Sequence, residues 1–121
     1  MEKIASYSDE KLLREHPVVM QRLTLSNATA QPIHLERGSV IGLDGDGLKG
    51  LFATGMTEVA GVLAESASIP AKSGSNPGEA HAAVYVHADF VLDQLKFAAS
   101  ATETDKALAL AALQTIGCYA S

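Results

Sequence analysis

The last forty residues constrain the fold most, because they combine a β segment, a capped helix and a short closing strand. Residues 82–90 alternate in a composition that favours a strand. Two residue pairs have the spacing of a helix capping box: Ser100 with Glu103, and Thr102 with Asp105. Gly117 follows at a distance that permits a C-terminal stop, and residues 116–120 predict a final strand. One small helix inserted before the last strand of a β-rich chain is an uncommon layout.

The composition fits one domain of modest stability. The chain has 121 residues, enough to bury about two thirds of its unfolded surface. Hydrophobic residues make up 47% and charged residues 19%, but aromatic residues make up only 5%. Because burial energy scales with apolar area, a core of Ala, Val and Leu gains less per residue. We therefore expect modest stability alone, or support from a partner subunit.

The charge and the cysteine count exclude several classes of protein. A net charge of −5 argues against binding of a nucleic-acid backbone, which requires clustered Lys and Arg. The sequence has no run of about twenty apolar residues, so we expect no transmembrane span and no membrane partner. Residues 1–6 lack the apolar core of a signal peptide, and a single cysteine excludes an internal disulfide. These features predict synthesis in a reducing cytoplasm.

Residues 1–17 are predicted to form an N-terminal arm, followed by one β-rich domain over residues 18–121. Ser8 is a candidate N-cap for a short helix that Pro17 would stop. Residues 18–25 have strand composition. Several apolar residues lie in or beside the arm: Ile4, Tyr7, Leu12, Leu13, Val18, Val19 and Met20. They either complete the core of the domain or dock on another protein, where an extended segment adds a strand to an open sheet edge.

The middle of the chain predicts short strands separated by turns. Residues 33–43 hold two β segments broken at Arg37-Gly38, and residues 51–53 and 57–64 predict two more strands. Gly61 inside the last of these indicates a bulge or a close backbone approach. Residues 69–79 form a polar loop rich in Pro, Gly and Ser.

One acidic turn resembles part of a calcium site. Asp44-Gly45-Asp46-Gly47 is similar to the start of a calcium-binding loop. The twelfth position, which requires a bidentate Glu, is Gly55. Since the cluster supplies residues that tolerate positive φ, we predict a plain turn.

A candidate metal site lies on the long predicted strand. Four side chains follow a period of two and would share one face: His81, Tyr85, His87 and Asp89. Two His and an Asp are suitable zinc ligands. However, His81 and His87 would lie about 20 Å apart on an ideal strand, too far to share one ion. A polar strand face or a subunit contact is the favoured interpretation, and His16 and His34 have no partner spacing.

No sequence motif predicts catalysis. Cys118 lies in the predicted last strand, which favours a packed, inert thiol over a nucleophile. Ser73-Gly74-Ser75 lacks both the Lys of a phosphate loop and the framing of a nucleophile elbow. The sequence also has no dinucleotide-binding fingerprint. We expect no enzymatic activity and no cofactor.

Several segments occur in a characteristic order from Gly38 onward: residues 40–45, 59–64, the polar loop, 88–95, 98–106, the helix and 116–120. In this order they resemble the head decoration proteins of tailed bacteriophages, of the kind typified by phage lambda. The resemblance implies a mainly β fold of the β-clip type, a small barrel or sandwich with one short C-terminal helix and a flexible N-terminal arm. It implies no catalysis and no cofactor.

The resemblance also implies partners and a location. Such proteins form homotrimers at local threefold positions on the outer surface of the expanded capsid, where they cement neighbouring major capsid subunits. The arm would contact the capsid through Tyr7, Leu12, Leu13, Pro17, Val18, Val19 and Met20. The region before Gly38 matches no motif of the family, and Lys96-Phe97 stands where an aromatic–proline pair is expected.

Two other functions remain open at this point. The first is a small β-clip ligand- or partner-binding module of a bacterial protein complex, which the Gly-centred bend in residues 35–41 suggests. A well-formed polar pocket would favour that module. The second is a metal-dependent hydrolase that uses His81 and His87.

Overall fold

The computed structural model describes residues 18–45, 47–99 and 101–120. Within them the fold is mainly β with one C-terminal helix, which confirms the predicted fold class. The elements are β1 (Val19–Asn27), β2 (Ile33–Leu35), β3 (Val40–Leu43), β4 (Lys49–Leu51), β5 (Glu58–Leu63), β6 (Ala67–Ile69), β7 (Gly78–Phe90), a 3-10 helix (Leu92–Gln94), α1 (Glu103–Ile116) and β8 (Cys118–Ala120). The predicted arm, residues 1–17, lies outside the described residues. In the part of the chain that is described, no helix is long and apolar enough to cross a membrane.

The strands form a curled sheet and a small separate ribbon. The main antiparallel path runs β1-β7-β5-β3-β4, and β8 pairs with β7 in parallel. β2 and β6 pair with each other. The main sheet curls into a half-barrel, so its outer strands approach: a Cβ built on Gly50 of β4 would lie 3.7 Å from the carbonyl oxygen of Ser26 in β1. This shape is consistent with the predicted small barrel or sandwich.

Adjacent residues of the central strands point to opposite faces and build two cores. Val40 and Ile41 of β3 belong to different clusters, as do Val62 and Leu63 of β5. The cluster that includes α1 and β8 residues contains Val40, Phe52, Val59, Val62, Tyr85, Ala88, Phe90, Leu95, Ala109, Leu113 and Cys118. The cluster that includes β2 and β6 residues contains Leu25, Leu35, Ile41, Leu63, Ile69, Ala82 and Val84. The centre of the sheet is therefore buried on both faces.

Helix α1 begins and ends at the predicted signals. Thr102 Oγ1 accepts from the backbone N–H of Asp105 at 3.2 Å, and Asp105 Oδ2 accepts from the backbone N–H of Thr102 at 2.8 Å. This confirms one of the two predicted capping boxes; the other fails because Glu103 is the first helical residue, not the third. Gly117 ends the helix in the left-handed region, with φ of +96°. Ile116 belongs to the helix, so the predicted final strand starts too early.

Two of the middle strands test the predictions in more detail. Gly61 has φ of +150°, and a Cβ there would overlap the backbone oxygen of Tyr85, which confirms the predicted close approach. The strand predicted over residues 51–53 is wrong, because β4 ends at Leu51 and Phe52 turns fully into the core. The break at Gly38 between β2 and β3 is confirmed, with φ of +96°.

Candidate protein-docking surface

Large apolar side chains are exposed at a few places on the described surface. Those at least a third exposed are Val18, Val19, Met20, Leu92, Leu108, Ile116 and Tyr119. Scattered apolar residues are ordinary on a protein surface, but a contiguous group marks a binding site. The pairing of the strands decides which of these residues are contiguous.

All of them except Leu108 lie around the C-terminal end of β7. Val19 pairs with His87, and Tyr119 of β8 pairs with Asp89. From the spacing along and between strands, the Cα atoms of Val19 and Tyr119 lie within about 15 Å of each other. Ile116 precedes Gly117, which contacts the His87 ring, and Leu92 follows β7 directly. We call this group the end patch: Val18, Val19, Met20, Leu92, Ile116 and Tyr119.

Part of the end patch lies on one face of the sheet, whereas Met20 pairs with Tyr85 and lies on the opposite face. Paired residues share a face, and residues two apart on a strand share a face, so Val19, His87, Asp89 and Tyr119 point the same way. The alternate residues Ala88, Phe90 and Cys118 are fully buried on the other face. Val19 is 49% and Tyr119 46% exposed. The protein therefore presents a partly apolar sheet surface to solvent at this end, around a histidine and an aspartate.

Of the residues predicted to contact a capsid, the structure describes Val18, Val19 and Met20. All three are exposed at the start of β1. β1 pairs with β7 along its length, so one of its edges is used inside the domain. Within the described residues no strand pairs with its other edge. The remaining predicted contact residues, Tyr7, Leu12, Leu13 and Pro17, lie outside the described residues.

The predicted polar face of the long strand is wrong. A register shift opposite Val19 and Met20 places Tyr85 and Ala88, three residues apart, in the same core cluster, so side-chain parity changes within β7. Tyr85 is buried, and its hydroxyl lies 3.4 Å from Arg37 Nη2. His87 and Asp89 consequently face away from Tyr85. This bulge in the pairing of β1 with β7 interrupts the alternation of side chains along β7 on which the prediction depended.

The candidate metal and calcium ligands have other roles. His81 Nδ1 lies 3.0 Å from Thr24 Oγ1 of the paired strand, and His34 Nδ1 lies 3.0 Å from Ser68 Oγ. Asp44 Oδ1 accepts from the backbone N–H of Leu48 at 3.0 Å and closes a turn, as predicted. Among the described residues, no three His, Cys, Asp or Glu side chains are grouped to hold a metal ion. Asp46 and His16 lie outside the described residues.

Cys118 is packed as the sequence predicts. The residue is fully buried, and its Sγ lies 3.9 Å from the backbone oxygen of Tyr85. Burial raises the pKa of the thiol to about 11, so it is protonated at neutral pH. Since the thiolate is the nucleophile, this environment suits packing rather than covalent chemistry.

A cavity of about 270 Å³ opens at the other end of β1. Much of its wall is apolar, from Ile33, Leu35, Leu48, Leu51, Met56 and Ile69. Asn27, a polar residue of the wall, is 1% exposed and donates its amide to the carbonyl oxygens of Gln31, Ile69 and Pro70. Its side chain is thus committed to the fold, whereas the wall also includes the polar or charged residues Ser26, Thr29, Asp44 and Lys49.

The comparisons with known proteins do not assign the chain to a family: no protein-family model matches the chain, and no curated protein matches it. The resemblance to decoration proteins therefore stays a prediction. Sequence reasoning identified half of the end patch and missed Leu92, Ile116 and Tyr119. The alternation of Cys118, Tyr119 and Ala120 was an available signal, because a strand with one face buried exposes its middle residue.

Proposed function

We propose that the chain is a capsid decoration protein of a tailed bacteriophage, which binds as a homotrimer to the outside of the expanded head and stabilises it. The end patch carries the proposal, because it offers apolar surface to another protein. It also includes Val18, where residues 1–17 join the domain, so arm and patch can contact one partner together. The mainly β fold with one helix before its last strand supports the same proposal.

The proposed mechanism is a clamp built from many modest contacts. Full burial of a large apolar side chain contributes about 1.5–3 kcal/mol, and the half-exposed Val19 and Tyr119 would each add a part of that. In a trimer the same contacts occur three times on neighbouring major capsid subunits, so avidity replaces a single strong site. Because decoration binds the assembled head and not its dissociated subunits, it stabilises the head by mass action.

The test is co-sedimentation with expanded, undecorated heads of the phage whose genome encodes the chain. We expect saturable binding in multiples of three per local threefold position. The double variant Val19→Ser, Tyr119→Ser should fold normally and lose most of this binding. The matched control Ala30→Ser, Gln31→Ser replaces two exposed residues at the other end of β1 and should bind like the unaltered protein. Absence of binding by the folded, unaltered chain would leave the β-clip binding module as the better hypothesis.

A second test concerns residues 1–17. We expect their deletion to leave the β domain folded, since both described cores lie within residues 18–120. The deletion should remove binding to heads if the arm supplies capsid contacts. Unchanged head occupancy by the shortened chain would refute that role of the arm, while the end-patch variants still test the role of the domain.

A further inference from the structure

The outward side of helix α1 carries no charge over most of its length. The charged residues of α1, Glu103, Asp105 and Lys106, all lie in its first turn, and residues 107–116 contain none. A helix on the surface of a globular protein ordinarily has charged or polar residues opposite its buried face. The exposed side of α1 after its first turn therefore has no charged residue, and its polar residues there are Gln114 and Thr115.

The geometry of α1 defines that exposed side. Ala109 and Leu113 are buried in the core that β8 completes. Ala111 is two residues from each of them, which places it about 200° around the helix from both. Thr104, Leu108, Ala111 and Thr115 follow the spacing i, i+4, i+7, i+11 of one stripe, and all are exposed. We call this stripe, together with its exposed neighbours Ala107 and Gln114, the outer helix face.

Two further observations describe the outer helix face. Leu108 is 46% exposed and is the large apolar residue that does not belong to the end patch. The Thr115 hydroxyl donates to the carbonyl oxygen of Ala112 at 2.6 Å, within the helix. Part of the hydrogen-bonding capacity of the Thr115 side chain is therefore used within the helix.

The net charge of the chain indicates which partner fits the outer helix face. Two copies of a chain with net charge −5 repel one another wherever their charged surfaces meet. A contact between like copies is therefore least costly through a surface without charge, and the cores of protein interfaces are depleted in charged residues. The outer helix face meets this requirement, whereas Asp89 lies within the face that the end patch occupies.

We propose that the outer helix face binds a second copy of this chain, so that α1 is the self-association surface and the end patch is left for a different protein. The face measures about 21 Å by 10 Å, from the rise and width of a 14-residue helix. That is about a quarter of the ~800 Å² per partner in a stable interface. Self-association through α1 is therefore weak, reversible and dependent on concentration. It does not require a capsid.

Sedimentation velocity of the full chain, from about 10 µM to 1 mM, tests this range of weak affinity. The key variant is Ala111→Glu, which keeps a good helix former and places a charge at the centre of the face. Its matched control is Ala30→Glu, the same exchange at an exposed site in the loop after β1. We expect the unaltered chain and Ala30→Glu to associate with rising concentration, and Ala111→Glu to raise the dissociation constant at least about tenfold. Leu108→Glu should act in the same way, and circular dichroism verifies that each variant is folded.

Three outcomes would overturn the proposal. One is an unaltered chain that stays monomeric throughout the range. Another is association of both folded α1 variants as strong as that of the unaltered chain. The third is loss of association in Val19→Ser, Tyr119→Ser but not in Ala111→Glu, which would move self-contact to the end patch. Because no heads are present, each of these results is separate from success or failure of head binding.

Discussion

The two ends of strand β1 differ in how far their side chains are buried and hydrogen-bonded within the protein. At one end Asn27 is 1% exposed and its side chain takes part in five hydrogen bonds. At the other end Val19 and Met20 are 49% and 56% exposed. The same strand thus begins in an open apolar surface and ends in a closed polar network.

The end of β1 at Asn27, which we call the closed end, is held by hydrogen bonds within the protein. Asn27 Nδ2 has two N–H groups and lies near three carbonyl oxygens, so one N–H is shared. Asn27 Oδ1 accepts from the backbone N–H and the hydroxyl of Thr29. These bonds join the end of β1 to the loop after it and to the end of β6. Within the described residues, the side chains at the start of β1 have no comparable cover.

The largest effect should come from breaking the closed end. Asn27→Ala removes all five of these hydrogen bonds, including the buried bond to the Ile69 carbonyl oxygen, so we expect the free energy of unfolding to fall by about 3 kcal/mol. Urea denaturation measures this difference. Gln31→Ala is the control, because the network uses the backbone oxygen of Gln31 and keeps it. A loss below about 1 kcal/mol for Asn27→Ala would mean that the network is not a stabilising element.

The second effect concerns the internal support of the open end. Gly117 has φ of +96°, and a Cβ there would overlap the His87 ring. We expect Gly117→Ala to cost about 2 kcal/mol, from backbone strain and displacement of His87. Gly74→Ala is the matched control, because Gly74 also has positive φ, +62°, but has open space around it. Equal losses for the two variants in urea would show that contact with His87 contributes nothing.

A smaller effect, separate from both ends, should follow the pH. The backbone N–H of Thr102 and the Thr54 hydroxyl donate to the Asp105 carboxylate and lower its pKa below the ordinary 3.8. A lowered folded-state pKa contributes stability above the unfolded value, and that contribution is lost as the pH falls through the folded value. Asp105→Asn should therefore unfold at lower urea at pH 7. The two urea midpoints should converge below pH 3.8, and a difference unchanged with pH would exclude the carboxylate as its source.

The smallest effect on stability should come from the open end. Val19→Ser with Tyr119→Ser alters side chains that are about half exposed, so we expect a change within about 0.5 kcal/mol per substitution. Thermal and urea unfolding of the purified variant measure this. A loss as large as that of Asn27→Ala would show that these residues support the fold itself and would weaken the comparison between the two ends.

Local signals made α1 predictable from the sequence. Thr102 and Asp105 cap the helix through contacts three residues apart, and Gly117 ends it by its own backbone freedom. Gly61 was predicted in the same way, from its place inside a strand. Each of these features depends on a few neighbouring residues, so no knowledge of the rest of the fold was needed.

Features that depend on distant partners were not predictable. The parity change in β7 depends on the register of β1, which begins some sixty residues earlier in the chain. For this reason His81 and Asp89 were wrongly placed on one face. The end patch depends on the position of β8 beside the end of β7, and the sequence indicated only Val18, Val19 and Met20. The curl of the sheet also depends on β4 approaching β1.

The burial of Cys118 has a practical consequence. The chain has one thiol, and it lies in the core beneath α1, next in sequence to Tyr119 of the end patch. An alkylating reagent can reach it only when this part of the molecule opens, so the labelling rate under native conditions measures the free energy of that opening. A partner that covers Tyr119 would slow the labelling. The thiol of Cys118 thus serves as a native-state probe of whether a partner occupies the end patch.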